Sequence, residues 1–353
     1  MSKLFSSLKI REIEFKNRIF VPPMCQYSAA DSMPTDWHLI HYGSRAAGGV
    51  GLIITEATAV SPEGRITPGD LGLWDDKFIN GFKPITKFIK EQKCVPGIQI
   101  AHAGRKASTY SPWEGNSYVP VNKGGWQTVS SSAIPFSDEF PAPKELTIPE
   151  IKKLITQFAD ASARAVKAGF EVIELHMAHG YLVHQFLSPY SNKRNDEYGG
   201  SLENRCRFAL EIASAVRKAM PASLPLFVRL SSTDWIENAW DIEQTIYLVK
   251  EFQKLGVDFI DCSSGGNVYN AKIPLGPGYQ VHFAERIKEE TGILTGAVGL
   301  ITLPEQAENI ITSGQADAVL MGRELLRDPY WPLHAAKKLH ADIVWPNQYL
   351  RAK

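Results

Sequence analysis

Eight short runs rich in apolar and β-branched residues divide this chain, and most are followed by a stretch with helical periodicity. The runs are Arg18–Val21, Gly51–Glu56, Gly97–Ala101, Val172–His176, Leu226–Leu230, Asp258–Cys262, Leu294–Val298 and Ala318–Met321. Helical patterns cover Asp36–Ala47, Phe78–Gln92, Ile148–Ala168, Ser201–Met220, Ile242–Leu255, Val281–Thr291, Pro304–Ser313 and Asp328–Leu339. Strands that are apolar at successive positions are buried on both faces, the condition of a parallel sheet covered by helices. Eight such units in 353 residues fit a single (β/α)8 TIM barrel with insertions. A doubly wound sheet is the main competitor, but no GxGxxG follows the first strand or any other.

Residues 1–353 are expected to form one domain, since no linker divides the chain. Two parts stand apart from the βα rhythm. The connection from His102 to Thr147, after the third strand, is rich in Pro, Ser, Gly and Trp, and long irregular loops of this kind are usually lids or caps. Trp113 and Trp126 could seal a pocket there or simply pack a surface excursion. The tail over 340–353 cannot continue the preceding helix past Pro346, yet it carries Tyr349 and Leu350 as apolar anchors, so it is expected to dock.

Bulk composition excludes several partners. Lys plus Arg and Asp plus Glu are equal at 38 each, with no basic stripe, which argues against nucleic acid and anionic membranes. No apolar run approaches the ~20 residues of a spanning helix. The start, MSKLFSSLKIREIEF, interleaves charges and does not read as a signal peptide. Cys25, Cys94, Cys206 and Cys262 are scattered without a CxxC, which suits a reducing compartment; a cytoplasmic location is expected.

The fourth strand leads into a cluster of His176, His179 and Tyr181. Three rings able to donate hydrogen bonds, crowded where a strand ends, suggest a site rather than a core. Two histidines three apart are also what a metal might use, but no carboxylate or cysteine follows at zinc-like spacing. Metal is the weaker option. The run closes with Tyr198-Gly199-Gly200 and a helix capped by Ser201, with Glu203 in its first turn.

A barrel places its active site at the carboxyl ends of its strands. Those ends collect Pro22-Pro23-Met24-Cys25-Gln26-Tyr27, Ala57, Gln99 with His102, Arg105 and Lys106, then the His176–Tyr181 cluster, Arg229, Gly296 to Gly299, and Gly322-Arg323. Glycines after strands seven and eight, with an arginine attached, are what a barrel phosphate site requires: close backbone approach, free N–H groups and a bidentate cation.

These residues carry a resemblance. The run HMAHGYLVHQFLSPYSNKRNDEYGGSLENR, with NRIFVPPMCQYS, GLIITEATAV, IQIAHAGRK, TGAVG and MGRELLRDP, resembles the signature blocks of the old yellow enzyme family, the flavin-dependent ene-reductases. The likeness covers nearly the whole chain and is closest to the thermophilic-like branch, which has a cysteine where Cys25 stands and a histidine pair where His176 and His179 stand. It implies non-covalent FMN held by Pro22, Pro23, Met24, Cys25, Ala57, Gln99, Arg229, Gly299, Gly322 and Arg323. NADPH or NADH would supply hydride, and an alkene conjugated to a carbonyl or nitro group would accept it. His176 and His179 would bind the substrate oxygen, Tyr181 would give a proton to the α carbon, Cys25 would tune the flavin and Tyr27 would lie beside the substrate. Members of the branch form homodimers or homotetramers in which a tail arginine enters the neighbouring site, which makes Arg351 a candidate acting in trans. Two other readings stay open on the residues alone: a metal-dependent barrel aldolase or hydrolase, and a barrel that binds a ligand without chemistry.

Overall fold

The computed structural model describes residues 2–353. Its centre is a closed barrel of eight parallel strands: β1 (Ile19–Val21), β2 (Leu52–Ala59), β3 (Val95–Ala101), β4 (Val172–Met177), β5 (Leu226–Ser231), β6 (Phe259–Ser263), β7 (Leu294–Ala297) and β8 (Ala318–Leu320). Each strand pairs with its sequence neighbours, and β8 closes on β1 through Val319↔Ile19 and Leu320↔Phe20. All eight sequence runs are strands, and the (β/α)8 TIM barrel holds. The backbone of β2, β4 and β5 is buried along its whole length, as expected for a sheet covered by helices.

Helices follow the predicted amphipathic stripes. In α3 (Ile148–Lys167) the buried Ile151, Leu154, Phe158, Ala161 and Ala165 recur every three or four residues. Thr147 and Glu150 form its capping box, and Pro149 in the first turn gives up a donor that would be unpaired anyway. Ser201 caps α5 (Leu202–Ala219) by accepting from Asn204 N–H at 3.3 Å. The last predicted helix is instead two, α9 (Arg323–Arg327) and α10 (Trp331–Lys338), because Asp328 leaves helical geometry ahead of Pro329.

Several elements had no counterpart in the sequence reading. An antiparallel hairpin, Leu8–Ile10 with Ile13–Phe15, closes the amino-terminal end of the barrel. Leu8, Ile10 and Phe15 pack there against Phe20, Phe227 and Phe259, the last two rings stacked at 4.4 Å. Three-residue strands are too short to display an alternation. After β4, α4 (Leu182–Leu187) is buried at all six residues. A helix buried all round has no polar face and therefore no amphipathic signal.

The excursion after β3 carries three single 3-10 turns and one short parallel pairing, Val129–Ser130 with Lys144–Glu145. Trp113 is largely exposed but meets Tyr27 edge-on at 5.8 Å. Trp126 donates from Nε1 to Glu63 O at 2.9 Å and lies under the Arg65 guanidinium at 4.8 Å, pinning the excursion to the β2 loop.

Candidate active site

The carboxyl end of β4 gathers the three predicted rings. His176 and His179 lie 5.2 Å apart at 86°, and His176 and Tyr181 lie 4.9 Å apart at 82°. This proximity depends on backbone bending as much as on spacing. His179 has φ 59° and Gly180 φ 71°, consecutive left-handed residues that turn the chain back over the strand end. A methyl group on Gly180 would fall 2.3 Å from Gly266 O, so the turn after β4 and the loop after β6 meet backbone to backbone.

That turn is held from several sides. Ser231 Oγ, at the end of β5, accepts from His179 N–H at 2.9 Å and donates to Gly265 O at 2.8 Å. The Lys106 ammonium donates to His179 O and Gly266 O, both at 2.9 Å, and lies 5.0 Å from the Tyr181 ring centroid. Burial, then the neighbouring Arg105, pulls its pKa down to about 7. Gly180 N–H donates to His184 Nδ1 at 2.9 Å, and His184 Nε2 faces Asp234 Oδ1 at 3.1 Å. Asp234 also accepts from Ser188 Oγ at 2.6 Å and Trp240 N–H at 3.2 Å. The carboxylate thus fixes the imidazole, and the imidazole fixes the glycine between the two candidate functional residues.

The two histidines differ in their free nitrogen. His176 Nδ1 accepts from Ala178 N–H at 3.2 Å, which leaves Nε2 to carry the proton. His179 Nε2 is instead engaged with Ser263 Oγ at 2.7 Å. Burial first, then the Arg229 charge, holds both rings well below the usual histidine pKa, so both are neutral at physiological pH. The same burial raises the Tyr181 phenol, with Cys25 and Asp70 adding to the rise.

The loop after β1 is organised by Glu56 in β2. Its carboxylate accepts from Gln26 N–H and pairs with His38 Nε2 at 2.9 Å, while Glu56 N–H donates to Tyr42 Oη at 3.0 Å. Cys25 and Tyr27 stand on this loop, Tyr27 with φ 51°. Burial, then Asp70 and Glu56, pushes the Cys25 thiol well above its ordinary pKa, so it is a thiol and not a thiolate. Ala57 lies inside β2 rather than after it, because the strand runs to Ala59 through a bulge between Thr55 and Thr58.

One layer inside the barrel carries four polar side chains. Gln99 Nε2 donates to Glu174 Oε1 at 2.8 Å, and Arg229 Nε faces Asp261 Oδ2 at 3.0 Å. Adjacent register brings them together: Gln99 pairs with Glu174, and Asp261 with Arg229. Burial pushes the Glu174 carboxyl well above the carboxylate range and that of Asp261 to about 6, the latter opposed by Arg229. Beside the layer, a cavity of about 110 Å³ is lined by Gly299, Leu300, Thr302, Met321, Gly322 and Arg323. Gly299 has φ 122°, and a methyl on Gly322 would make ordinary contact with Met24 Sδ at 3.5 Å and Pro22 Cγ at 3.7 Å. Gly296 does not belong to this loop. A methyl there would strike Leu320 at 2.3 Å, so it serves barrel packing.

The donor set fits FMN on its own chemistry. Glu174 Oε2 is buried without a hydrogen-bond partner, the Arg229 guanidinium has donors left beyond the Nε that faces Asp261, and Arg323 forms no ion pair among the described residues. A polar ring edge and a phosphate would satisfy such groups. Among the described residues, no group of three or more His, Cys, Asp or Glu is arranged to hold a metal ion. Arg351 stands apart, exposed in a 3-10 turn over Asn347–Ala352. The tail touches its own barrel through Tyr349, whose ring meets Tyr330 at 5.7 Å.

Sequence reasoning missed Glu56, Asp70, His184, Ser231, Asp234 and Ser263, and noted Lys106 without a role. Ser231 and Ser263 are the last residues of β5 and β6, directly after the apolar runs, and could have been collected as Arg229 was. Asp70 and Asp234 lie in irregular loops, where nothing in the sequence points inward.

Known proteins resemble this chain in sequence and in fold. Residues 3–342 match the model of the NADH:flavin oxidoreductase / NADH oxidase family. The NADPH dehydrogenase of Bacillus subtilis (strain 168) is 48% identical over 351 residues, covering 99% of this chain and 98% of that protein. Morphinone reductase, solved in complex with tetrahydroNAD, superposes with a TM-score of 0.79 at 27% identity, covering 98% of this chain and 92% of that one. The old yellow enzyme homologue of Zymomonas mobilis gives 0.78 at 26%, covering 97% and 94%. Among the described residues, no helix is long and apolar enough to cross a membrane. The chain belongs to the NADH:flavin oxidoreductase / NADH oxidase family, the FMN-dependent oxidoreductases of the old yellow enzyme type.

Proposed function

We propose that this enzyme uses NADPH or NADH to reduce the C=C bond of alkenes conjugated to a carbonyl or nitro group, both substrates occupying one site in turn. The observation that carries this reading is the cluster of two neutral imidazoles, His176 buried and His179 half-buried, beside a protonated phenol. When bound, FMN would supply the hydride-transfer chemistry that links the nicotinamide to the alkene β carbon. Pro22, Pro23, Met24, Cys25 and Ala57 would line one edge of it, Gln99 and Arg229 its pyrimidine edge, and Gly299, Gly322 and Arg323 its phosphate.

The rest is done by side chains of this chain. His176 offers Nε2–H to the substrate oxygen. His179 offers Nδ1–H, provided the Ser263 hydroxyl donates to its Nε2. Neutral donors in a site closed to water stabilise the negative charge that develops on that oxygen, worth roughly 3–4 kcal/mol for a donor of this type. Tyr181 gives its proton to the α carbon. Arg229 provides fixed positive charge near the ring that becomes electron-rich, and Cys25, held as a thiol, modulates that ring without reacting. Tyr27 shapes the substrate side, and Arg351 reaches the site of a neighbouring subunit in a homodimer or homotetramer.

The experiment is direct. The purified protein should be yellow, bleach anaerobically with NADPH, and recover its colour on addition of an enone. Initial rates with both substrates varied should give parallel double-reciprocal lines. A colourless protein, or a bleached one that no enone reoxidises, overturns the reading.

A further inference from the structure

We propose that Asp70 returns a proton to Tyr181 after each turnover, through a single water held in a small cavity between them. The inference rests on the proposed role of Tyr181 as proton donor and adds how that donor is restored.

A cavity of about 10 Å³ is lined by both residues and otherwise by Ala57, Ala59, Gly64, Ile66, Ala101 and Ala103. That is about the space one water needs. None of those six residues has a polar side chain, so Asp70 and Tyr181 are the polar side chains a water there would meet. The Asp70 carboxyl is already fixed in place. Oδ2 accepts from Ile66 N–H at 2.6 Å and Oδ1 from Thr67 Oγ at 2.8 Å. Its exposure is 4%, enough for slow exchange with solvent at one edge.

The need for a relay follows from burial. Burial, Cys25 and Asp70 make the Tyr181 phenolate strongly basic, so it draws its proton from the acid nearest to it. Cys25 and Tyr27 are neighbours from the loop after β1, but burial raises both their pKa values, so both hold their own protons. Asp70 differs: burial lifts it to about 7, with Glu56 adding and the hydrogen bonds from Thr67 and Ile66 opposing. It can hold a proton near neutrality and still release it. Other charges facing the pair are Arg65, on the Asp70 loop, and Lys106, 5.0 Å from the Tyr181 ring.

The steps balance without any electron transfer. The Tyr181 O–H bond breaks as the α-carbon C–H bond forms. The phenolate takes a proton from the water, the water takes one from the Asp70 carboxyl, and the carboxylate recovers one from solvent. The net demand is one solvent proton per alkene reduced. Supply fails as pH rises through about 7, where Asp70 becomes a carboxylate.

The test separates a single turnover from repeated ones. Asp70→Asn keeps the shape and an acceptor for Ile66 N–H. Reduced holoenzyme mixed with cyclohexenone at pH 6 should reoxidise within two-fold of the wild-type rate, because Tyr181 begins protonated. Steady-state kcat should fall at least ten-fold, tyrosinate absorbance should outlast the single turnover, and the wild-type decline above pH 7 should vanish. Equal loss in both regimes would make Asp70 structural. A raised KM alone would make the cavity part of the substrate pocket, and a decline that persists in the variant would belong to Lys106; each overturns the proposal. If Asp70→Asn does not fold, Ala101→Val fills the cavity while keeping the carboxyl and should give the same split, its absence overturning the relay. Tyr181→Phe is measured alongside: should its oxidative half-reaction be unimpaired, the proton-donor role itself fails, whereas a slow Tyr181→Phe with unaltered Asp70→Asn and Ala101→Val sinks only the relay.

Discussion

The ring of His179 is held by Ser263, whose Oγ lies 2.7 Å from Nε2. One hydroxyl on β6 thereby sets the tautomer of a histidine delivered by β4, and a buried neutral imidazole has only one proton to place. If the serine donates, Nδ1 is the nitrogen left to face a substrate oxygen. Ser263→Ala should therefore slow the oxidative half-reaction about ten-fold, roughly the ~1.4 kcal/mol of one hydrogen bond, and leave flavin reduction by NADPH within two-fold. Stopped-flow absorbance at the flavin band checks both halves.

Replacing both His176 and His179 with Ala should leave the protein yellow and reducible. Reduction of an enone should fall by orders of magnitude, since two donors disappear from the point where charge develops. Loss of flavin from the purified variant would show that the pair serves the cofactor instead.

Tyr181→Phe removes a proton that only the alkene requires. Reoxidation by the enone should slow by about 10²–10⁴, the usual range for a general acid, with flavin reduction nearly unchanged. Equal slowing of the two half-reactions would reduce Tyr181 to a wall of the pocket.

Gly180→Ala tests the turn itself. Its added methyl meets Gly266 O at 2.3 Å, at a residue with φ 71°, so the turn must open. Flavin content should be normal while enone reduction drops at least ten-fold, because His179 and Tyr181 flank the change. Normal enone kinetics in a folded variant would mean that the turn does not position them.

Stability should depend on buried histidines. Burial, then the Arg45 charge, holds His41 at about 3, and burial holds His102 at about 4. The unfolded chain takes up their protons at about 6.5, so it binds more protons than the folded one as pH falls below that value. Stability from these rings is complete above pH 6.5 and is lost progressively toward pH 4. Relative to wild type, His41→Gln should gain melting temperature between pH 7 and pH 5; a pH-independent difference would mean that His41 binds its proton equally well in the folded and unfolded chain.

The tail prediction concerns Arg351, exposed on its own chain. A variant lacking residues 349–353 should keep flavin and bind substrate less tightly. Mixed with full-length His176→Ala/His179→Ala protein, it should recover activity, since hybrid assemblies contain a site with intact histidines and a donated tail. No recovery after proven subunit exchange would assign the tail to its own barrel.

Much of the site was legible because a barrel converts strand ends into neighbours. His176, Arg229 and Gly322 are far apart in the chain, yet each follows from reading what stands where an apolar run stops. The supports were not legible. Ser263 acts on His179, 84 positions away, and Asp234 on His184, 50 positions away, and neither spacing nor composition marks such a partner. Gly296 and Gly299 look alike in TGAVG, and only the packing of Leu320 and Phe259 separates a core glycine from a loop glycine.

The amino-acid sequence by itself determined the barrel, through eight doubly buried strands and the amphipathic helices between them, and it determined which residues reach its carboxyl end. Hydrophobic burial is local in pattern and can be read one element at a time. Tertiary structure alone decided which nitrogen of His179 is free, that the Cys25 thiol keeps its proton, and that Asp70 stands across a water-sized gap from Tyr181. Those properties come from hydrogen bonds and desolvation between segments brought together only when the barrel closes, and a few ångströms reverse them.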